Sequence, residues 1–336
     1  MSIDPAPDAL LPHGGRLRQA ADRYHIPLAD WLDLSTGINP VGWALSDPTL
    51  PPTIADLWSR LPEDDDGLEQ AAARYYGTPA LLPVAGSQAA IQALPRLRPP
   101  GRVGIIAPGY GEHAHAWTRA GHQVRPLSGA AIETALPDLD VLVLIHPNNP
   151  TGARFPRADL LRWHGALAGR GGWLVVDEAF MDATPKQSLA DLGPRPGLIL
   201  LRSIGKFFGL AGARVGFVLA DATITRPLAA LLGPWTIAAP SRWVAAQALA
   251  DTAWQDATRE RLAADGERLA ELLRRHGLPP QGGCALFQWV PTGRAPQIHE
   301  ALASAGILTR LFDSPPALRF GLPGSEGEWA RLEAAL

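Results

Sequence analysis

Lys206 stands out first, because amine chemistry is scarce in this chain. Lysine and arginine together number 30, and only Lys186 and Lys206 are lysine. A guanidinium stays protonated and delocalised and forms no imine, whereas a lysine amine can. Lys206 lies in LRSIGKFFGLAGARVG (201–216), just past the apolar run Leu198–Leu201. Ser203, Gly205, Gly209, Gly212 and Arg214 share that stretch. Glycines let backbone approach a ligand closely, and a hydroxyl with a guanidinium suits a phosphate. The set fits an imine between Lys206 and a phosphorylated aldehyde. A solvated lysine on a surface loop fits this stretch, taken alone, equally well.

Four further stretches put reactive or ligand-binding residue types just after apolar runs. Leu81–Ala85 leads into Gly86-Ser87-Gln88 at a helix start, where free N–H groups, a hydroxyl and the helix dipole attract an anion. Ser87 as a plain helix cap is the alternative. Val103–Ala107 leads to Pro108-Gly109-Tyr110, an aromatic that either stacks on a flat ring or sits in the core. Val141–Ile145 leads to HPNNPTG (146–152), where Asn149 offers an amide donor, although Asn-Pro and Thr-Gly make turns unaided. Trp173–Val176 leads to Asp177-Glu178-Ala179-Phe180. A carboxylate at the end of a buried strand is costly unless it meets a cation. A protonated pyridine nitrogen is one such partner, and a helix cap or core ion pair is the other reading. A lysine, a carboxylate, an amide, an aromatic and a phosphate cup thus fall in one order at strand ends, a combination chance rarely supplies.

The elements that must position these residues alternate along the chain. Helical spacing over 13–25 precedes Leu32–Leu34 and a polar loop, Ser35–Asn39, of the kind that either contacts ligands or merely links elements. Residues 44–64 are Pro-rich and irregular, and Asp66 reads as the cap of a helix that ends at Gly77. Between 81 and 219, the apolar runs named above and Val215–Leu219 alternate with helical patterns near 87–97, 112–121 and 157–170. That alternation predicts an α/β fold with a mostly parallel sheet, helices on both faces and ligands at the carboxyl ends of the strands. Residues 222–276 read as long structural helices interrupted at Pro234-Trp235. Beyond them, Leu286–Val290, Ile307–Leu311 with Arg310, and Ala317–Gly321 with Arg319 read as strands around a helix at 298–305. This portion forms a second, smaller unit that packs with the N-terminal segment. An arginine offers two parallel hydrogen bonds to carboxylate or phosphate, and Arg310 as a surface charge is the alternative.

Composition narrows the class. The chain has 336 residues, 46% of them hydrophobic, enough for a large domain and a smaller one. A net charge of −3 leaves no basic face for nucleic acid, and nothing in the pattern asks for a metal. Cys284 is the only cysteine, which fits a reducing compartment. The opening MSIDPAPDALLPHGG lacks the basic start and apolar core of a signal peptide, and no apolar run approaches the ~20 residues of a membrane span. The expectation is a cytoplasmic protein.

HPNNPTG, VVDEAF and SIGKFFGLAGARVG together resemble the signatures of the fold-type I pyridoxal-phosphate enzymes, the aspartate aminotransferase superfamily. The resemblance implies a large domain over 45–240, with a mostly parallel seven-stranded sheet between helices. A smaller α/β domain would come from both termini, 1–44 and 241–336. It also implies that Lys206 is the catalytic lysine carrying pyridoxal 5'-phosphate and that Asp177 pairs with the pyridine nitrogen. Asn149 would contact the ring oxygen and Tyr110 would stack on the ring. Ser87, Ser203 and Arg214 would hold the phosphate, helped by the backbone of Gly86 and Gln88.

Within that superfamily, HGGRLRQAADRYHIPLADWLDLSTGINPVGW, VAGSQAAIQALPRL and DEAF are similar to L-threonine-O-3-phosphate decarboxylases of cobalamin biosynthesis, from His13 to about Pro323. Those enzymes convert L-threonine O-3-phosphate to (R)-1-amino-2-propanol O-2-phosphate and CO2. Histidinol-phosphate aminotransferases share the cofactor motifs, and HGG and STGINP carry the separation. The resemblance makes His13, Gly14, Gly37, Asn39, Asn149, Arg310 and Arg319 the candidates for substrate binding. Arg319, in LRFGLP, resembles the carboxylate-binding arginine of the superfamily. Two positions depart from many relatives. Phe180 stands where a tyrosine helps hold the ring oxygen, and Leu61 stands where a tyrosine reaches across the dimer to the cofactor phosphate. A homodimer with its site near the interface is implied by the same resemblance.

Overall fold

The computed structural model describes Leu11, residues 13–43 and residues 56–336. The readings of residues 1–10 and of Pro-rich residues 44–55 lie outside the described residues.

A short helix, Leu17–Tyr24, and the two-residue strand β1 (Leu32–Asp33) open the chain. The helix Leu68–Tyr76 follows. Its cap residue is Gly67, at φ 96°, and not Asp66; Asp66, one residue earlier, still accepts from the Leu68 N–H at 3.1 Å through its carboxylate. Seven strands then build the main sheet. They are β2 (Leu81–Val84), β3 (Arg102–Ile106), β4 (Gln123–Leu127), β5 (Val141–Ile145), β6 (Trp173–Asp177), β7 (Leu198–Ser203) and β8 (Gly216–Leu219). Their order across the sheet is β2-β8-β7-β6-β5-β3-β4. Every neighbouring pair is parallel except those of β8, which runs against both β2 and β7.

The central strands are apolar at nearly every position because both faces are covered. Along β5, Val141 and Val143 join one core while Leu142 and Leu144 join the other. Val175 in β6 and Ile199 with Leu201 in β7 pack on the first face; Leu174, Val176, Leu198 and Leu200 pack on the second. Successive side chains of a strand point to opposite faces, so a continuous apolar run is what a two-faced sheet requires.

The rest of the chain builds a smaller sheet from β9 (Gly282–Cys284), β10 (Phe287–Pro291), β12 (Arg310–Asp313) and β13 (Pro316–Gly321), in the order β12-β13-β10-β9 and antiparallel throughout. Between β10 and β12 lies β11 (Ile307–Leu308), which pairs in parallel with β1. That pairing ties the N-terminal segment to the C-terminal third. The helix Thr252–Arg275 links the two sheets in sequence.

Beneath the ends of β6 and β7 sits a buried ionic cluster. Arg202, 1% exposed, donates to Glu178 Oε2 at 2.5 Å, to Asp182 and to Ser188 Oγ at 3.1 Å, and lies over the Tyr76 ring. Both carboxylates are fully buried. Removing the shared cation leaves two uncompensated charges in the core. Arg202→Met should therefore lower unfolding free energy by about 3–5 kcal/mol, read as a fall in the urea midpoint. A loss under about 1 kcal/mol would mean the cluster contributes little.

Candidate functional site

The predicted residues gather along one edge of the main sheet. The turn after β2 presents Gly86-Ser87-Gln88, the loop after β3 presents Tyr110, and the loop after β5 presents Asn149. Asp177 ends β6, Ser203 ends β7, and Lys206 follows three residues later. Arg214 joins them because β8 is reversed. Its first residue, Gly216, pairs with both Ser203 and Val84, so the residues just before β8 lie at the same edge as the residues just after β2 and β7.

Close backbone approach explains the glycines there. Gly86 has φ 72°, and a Cβ on it would stand 2.5 Å from Arg214 Nη2. A Cβ on Gly216 would stand 2.5 Å from Ser87 N. The helix Ser87–Ala93 has Gly86 as its cap residue and no side-chain cap, so the Ser87 hydroxyl is not consumed in capping. Arg214 has φ 54° and donates to Ala211 O at 3.1 Å. No carboxylate pairs with it among the described residues.

Asp177 is 4% exposed. Its Oδ1 accepts from Ala179 N at 3.0 Å and its Oδ2 from His113 Nε2 at 2.9 Å. A carboxylate only accepts, so the Nε2 hydrogen of His113 lies on Asp177. His113, 1% exposed, is a site residue the sequence reading missed. The available signal was its place one turn into the helix after β3, three residues past Tyr110, where it faces the neighbouring strand end.

Lys206 Nζ donates to Thr36 O at 3.2 Å and lies 5.5 Å from the Phe180 ring centre. No carboxylate pairs with it among the described residues. Burial and the nearby Arg319 guanidinium lower its pKa to about 8, against an opposing pull from Asp177. Lys206 lines a cavity of about 400 Å³ together with Tyr110, Asn149, Arg310, Arg319, His13 and Gly14. No Asp or Glu is among the described residues of that lining.

Arg310 and Arg319 sit directly opposite each other across β12 and β13. Like charges so placed repel, and burial followed by Arg310 lowers the Arg319 pKa to about 10. Arg319 is only 5% exposed. It donates to Asn149 Oδ1 at 2.5 Å and to Ser35 O at 2.6 Å, while its Nε is buried without a partner. Because Asn149 accepts through Oδ1, its Nδ2 is the end left to donate.

The HGG motif has a local cause. A Cβ on Gly14 would stand 2.4 Å from Ser35 O, and Gly15, at φ 77°, donates its N–H to Ser35 Oγ at 2.8 Å. The chain therefore lies backbone-on-backbone against the Ser35 loop and brings His13 to the cavity. Gly37 and Asn39, also expected at the substrate, do not line this cavity. Gly37 is packed under Phe180 and Phe287. Asn39, 2% exposed, donates to Phe207 O at 2.8 Å, and its backbone N–H donates to Lys206 O at 3.0 Å, so it fixes the lysine loop.

The chain matches the family described as Aminotransferase class I and II over residues 60–335. It is 60% identical over 327 residues to the threonine-phosphate decarboxylase of Pseudomonas aeruginosa, covering 97% of each chain. It is 42% identical over 335 residues to that of a Sinorhizobium species, covering 96% of this chain and 97% of the other. Among solved structures it resembles the histidinol-phosphate aminotransferase of Sinorhizobium meliloti in complex with pyridoxal-5'-phosphate. The TM-score is 0.82 at 22% identity, covering 100% of this chain and 97% of that one.

The lysine's environment makes a direct prediction. With a pKa lowered to about 8, half of the Lys206 amine is neutral near that pH, well below the ordinary lysine range. Raising the pH through 8 should switch on its reactivity. Trace acetylation of the cofactor-free protein, mapped on the two lysines, should give half-maximal labelling of Lys206 near pH 8. A midpoint above about 10 would refute the depressed amine.

Proposed function

The chain belongs to the class I and II aminotransferase family, and we propose that it is a pyridoxal-phosphate-dependent decarboxylase of L-threonine O-3-phosphate. The reaction yields (R)-1-amino-2-propanol O-2-phosphate and CO2. High identity to enzymes named threonine-phosphate decarboxylase supports the reading. The observation that carries it is the opposed pair Arg310 and Arg319 in the same cavity as Lys206, whose described lining holds no carboxylate. Two guanidiniums held against each other, one with an orphaned buried N–H, suit a substrate with two anionic groups.

The residues fit the cofactor. Among the described residues Lys206 has no carboxylate partner, Asp177 is buried at a strand end, and the Gly86 turn leaves room beside Arg214 that a Cβ would fill. Lys206 would carry the aldehyde, Asp177 would hold a proton on the ring nitrogen, Asn149 would donate to the ring oxygen and Tyr110 would face the ring. Gly86, Ser87, Gln88, Ser203 and Arg214 would hold the phosphate. Phe180 has no hydroxyl, so Asn149 does its part without help from that position. When bound, pyridoxal phosphate supplies an aldehyde that joins an amine and a ring that accepts the electron pair of the α-carbon bond lying across its plane.

What the chain's own residues decide is orientation. Arg319 is fixed by Asn149 and Ser35 and offers a rigid fork to a carboxylate or phosphate. Arg310, His13 and Gly14 line the same wall and complete the anion contacts. Holding both anions leaves the substrate no freedom to exchange which α-carbon bond is presented. Loss of CO2 must be balanced by a proton at the α-carbon, and Lys206 Nζ is the group placed to deliver it. His113 aims the Asp177 carboxylate by donating to Oδ2.

Residues 45–240 serve as the cofactor-binding domain, and 1–44 with 241–336 as the smaller one. The substrate is a phosphorylated amino acid, and the working form is a homodimer. Trp58, Leu61 and Trp235 are 73%, 62% and 60% exposed, a set of apolar side chains that a second copy would cover. Leu61 contributes apolar area there and no hydroxyl for a phosphate. Among the described residues, no helix is long and apolar enough to cross a membrane.

Incubating the loaded protein with L-threonine O-3-phosphate should release CO2. Brisk amino transfer from histidinol phosphate to 2-oxoglutarate, with no CO2, would replace this reading by the aminotransferase one. Arg319→Gln should lower kcat/KM by at least about 30-fold, the cost of losing a buried charged contact. A change under about threefold would remove Arg319 from the substrate site. In sedimentation the protein should run at twice the chain mass of 35.8 kDa, and a single-chain mass at micromolar concentration would exclude the dimer.

A further inference from the structure

We propose that Glu112 is a positioning residue for substrate binding, a buried clamp that fixes His13 at the cavity wall and sets the direction of the Tyr110 hydroxyl. The inference rests on the substrate reading above and goes beyond it. Glu112 stands in the first turn of the helix Gly111–Arg119, is 9% exposed and does not line the cavity. Its Oε1 accepts from His13 Nε2 at 2.7 Å. Its Oε2 accepts from Gln88 Nε2 at 2.8 Å and Gln92 Nε2 at 2.9 Å. The two glutamines are four residues apart on the helix Ser87–Ala93, so they leave one face of it.

An ionised carboxylate can only accept, so each atom facing it carries hydrogen. For His13 this fixes the Nε2 hydrogen on Glu112. For Gln88 it fixes the amide: Nε2 goes to Glu112, and Oε1 is left to accept from Tyr110 OH at 3.1 Å. The Tyr110 hydroxyl hydrogen is thereby directed at Gln88 and not into the cavity. His13 and Tyr110 stand with ring centres 5.9 Å apart and both line the cavity. One carboxylate therefore orders two walls of the site through the turn that follows β2. Among the described residues, no other ion pair joins residues 11–16 to the rest of the chain.

A glutamine at 112 would present its own N–H₂ to at least one of the three donors and open the clamp. The test uses the full chain loaded with pyridoxal phosphate and titrated with L-threonine O-3-phosphate, following the cofactor's absorbance to obtain a dissociation constant apart from turnover. Glu112→Gln should raise that constant and KM about tenfold or more, the effect of losing a hydrogen bond to a charged group. kcat should change by less than about threefold, because the clamp acts on binding in ground and transition state alike. His13→Asn should show a similar loss, and the double variant should lose no more than either single one. In the cofactor-free protein, trypsin should cut after exposed Arg16 or Arg18 about tenfold faster in both variants, since the segment is no longer tied down.

An unchanged dissociation constant in Glu112→Gln, losses that multiply in the double variant, or unaltered proteolysis would each overturn the clamp. If the parent protein neither binds nor decarboxylates threonine phosphate, the substrate reading fails, and the proteolysis comparison still decides the clamp. Should Glu112→Gln not fold, proteolysis of His13→Asn, changed at a part-exposed position, decides it instead.

Discussion

Arg319 holds three separate parts of the chain to one point. It rises from β13 of the smaller sheet, donates to Asn149 at the end of β5 in the main sheet, and donates to the Ser35 carbonyl of the N-terminal segment. Those partners lie 170 and 284 residues away along the chain. A guanidinium is planar and keeps its donors in a fixed fork, so satisfying two of them sets the third. The orphaned Nε is therefore a consequence of how the fold is joined. Whatever occupies the cavity meets a cation whose orientation is decided before binding, which is the condition for discriminating between ways of presenting a small anionic molecule.

The charge balance around the cavity follows from that arrangement. Lys206, Arg310 and Arg319 line it, Arg214 stands at the same sheet edge, and the carboxylate that pulls on Lys206 most is Asp177, already bonded to His113. Burial first, and the surplus of positive charge second, depress the lysine and Arg319 alike. A lysine amine so depressed is part neutral near pH 8, which is the state in which it attacks a carbonyl. Phe180 and Phe287 back this region with apolar surface and raise the cost of leaving its charges unmatched. A site built this way is stabilised by anionic occupants.

Much of this was legible in the sequence, and the reasons differ by residue. The strands β5, β6 and β7 announced themselves because burial on two faces demands unbroken apolar runs. Lys206 and Asp177 were legible because a rare lysine and a carboxylate after a buried strand are both costly unless used. The reversal of β8 was not legible: Val215–Leu219 reads the same in either direction, yet only the reversed strand brings Arg214 beside Gly86. Gly37 and Asn39 were conspicuous in STGINP, but their demands are local. Gly37 leaves space for two phenyl rings, and Asn39 bonds the backbone of the lysine loop. His113 and Glu112 were hidden because their roles exist only through partners 64 and 99 residues distant.

The two sheets contribute different groups to the cavity and its edge, and on the proposed reading this divides cofactor holding from substrate orientation. The groups proposed to hold a cofactor come from strand ends of the main sheet, where register and the β8 reversal leave little latitude. The groups proposed to orient a substrate come from β12, β13 and residues 13–36, and contacts of Arg319, Thr36 and His13 with Asn149, Lys206 and Glu112 are among those that join them to the main-sheet unit. Chemistry is set by which bond is presented, so a shift in the second set alters the outcome without touching the first. On the proposed reading, the HGG segment and the opposed arginines, more than the lysine loop, are where a change of presented bond would arise.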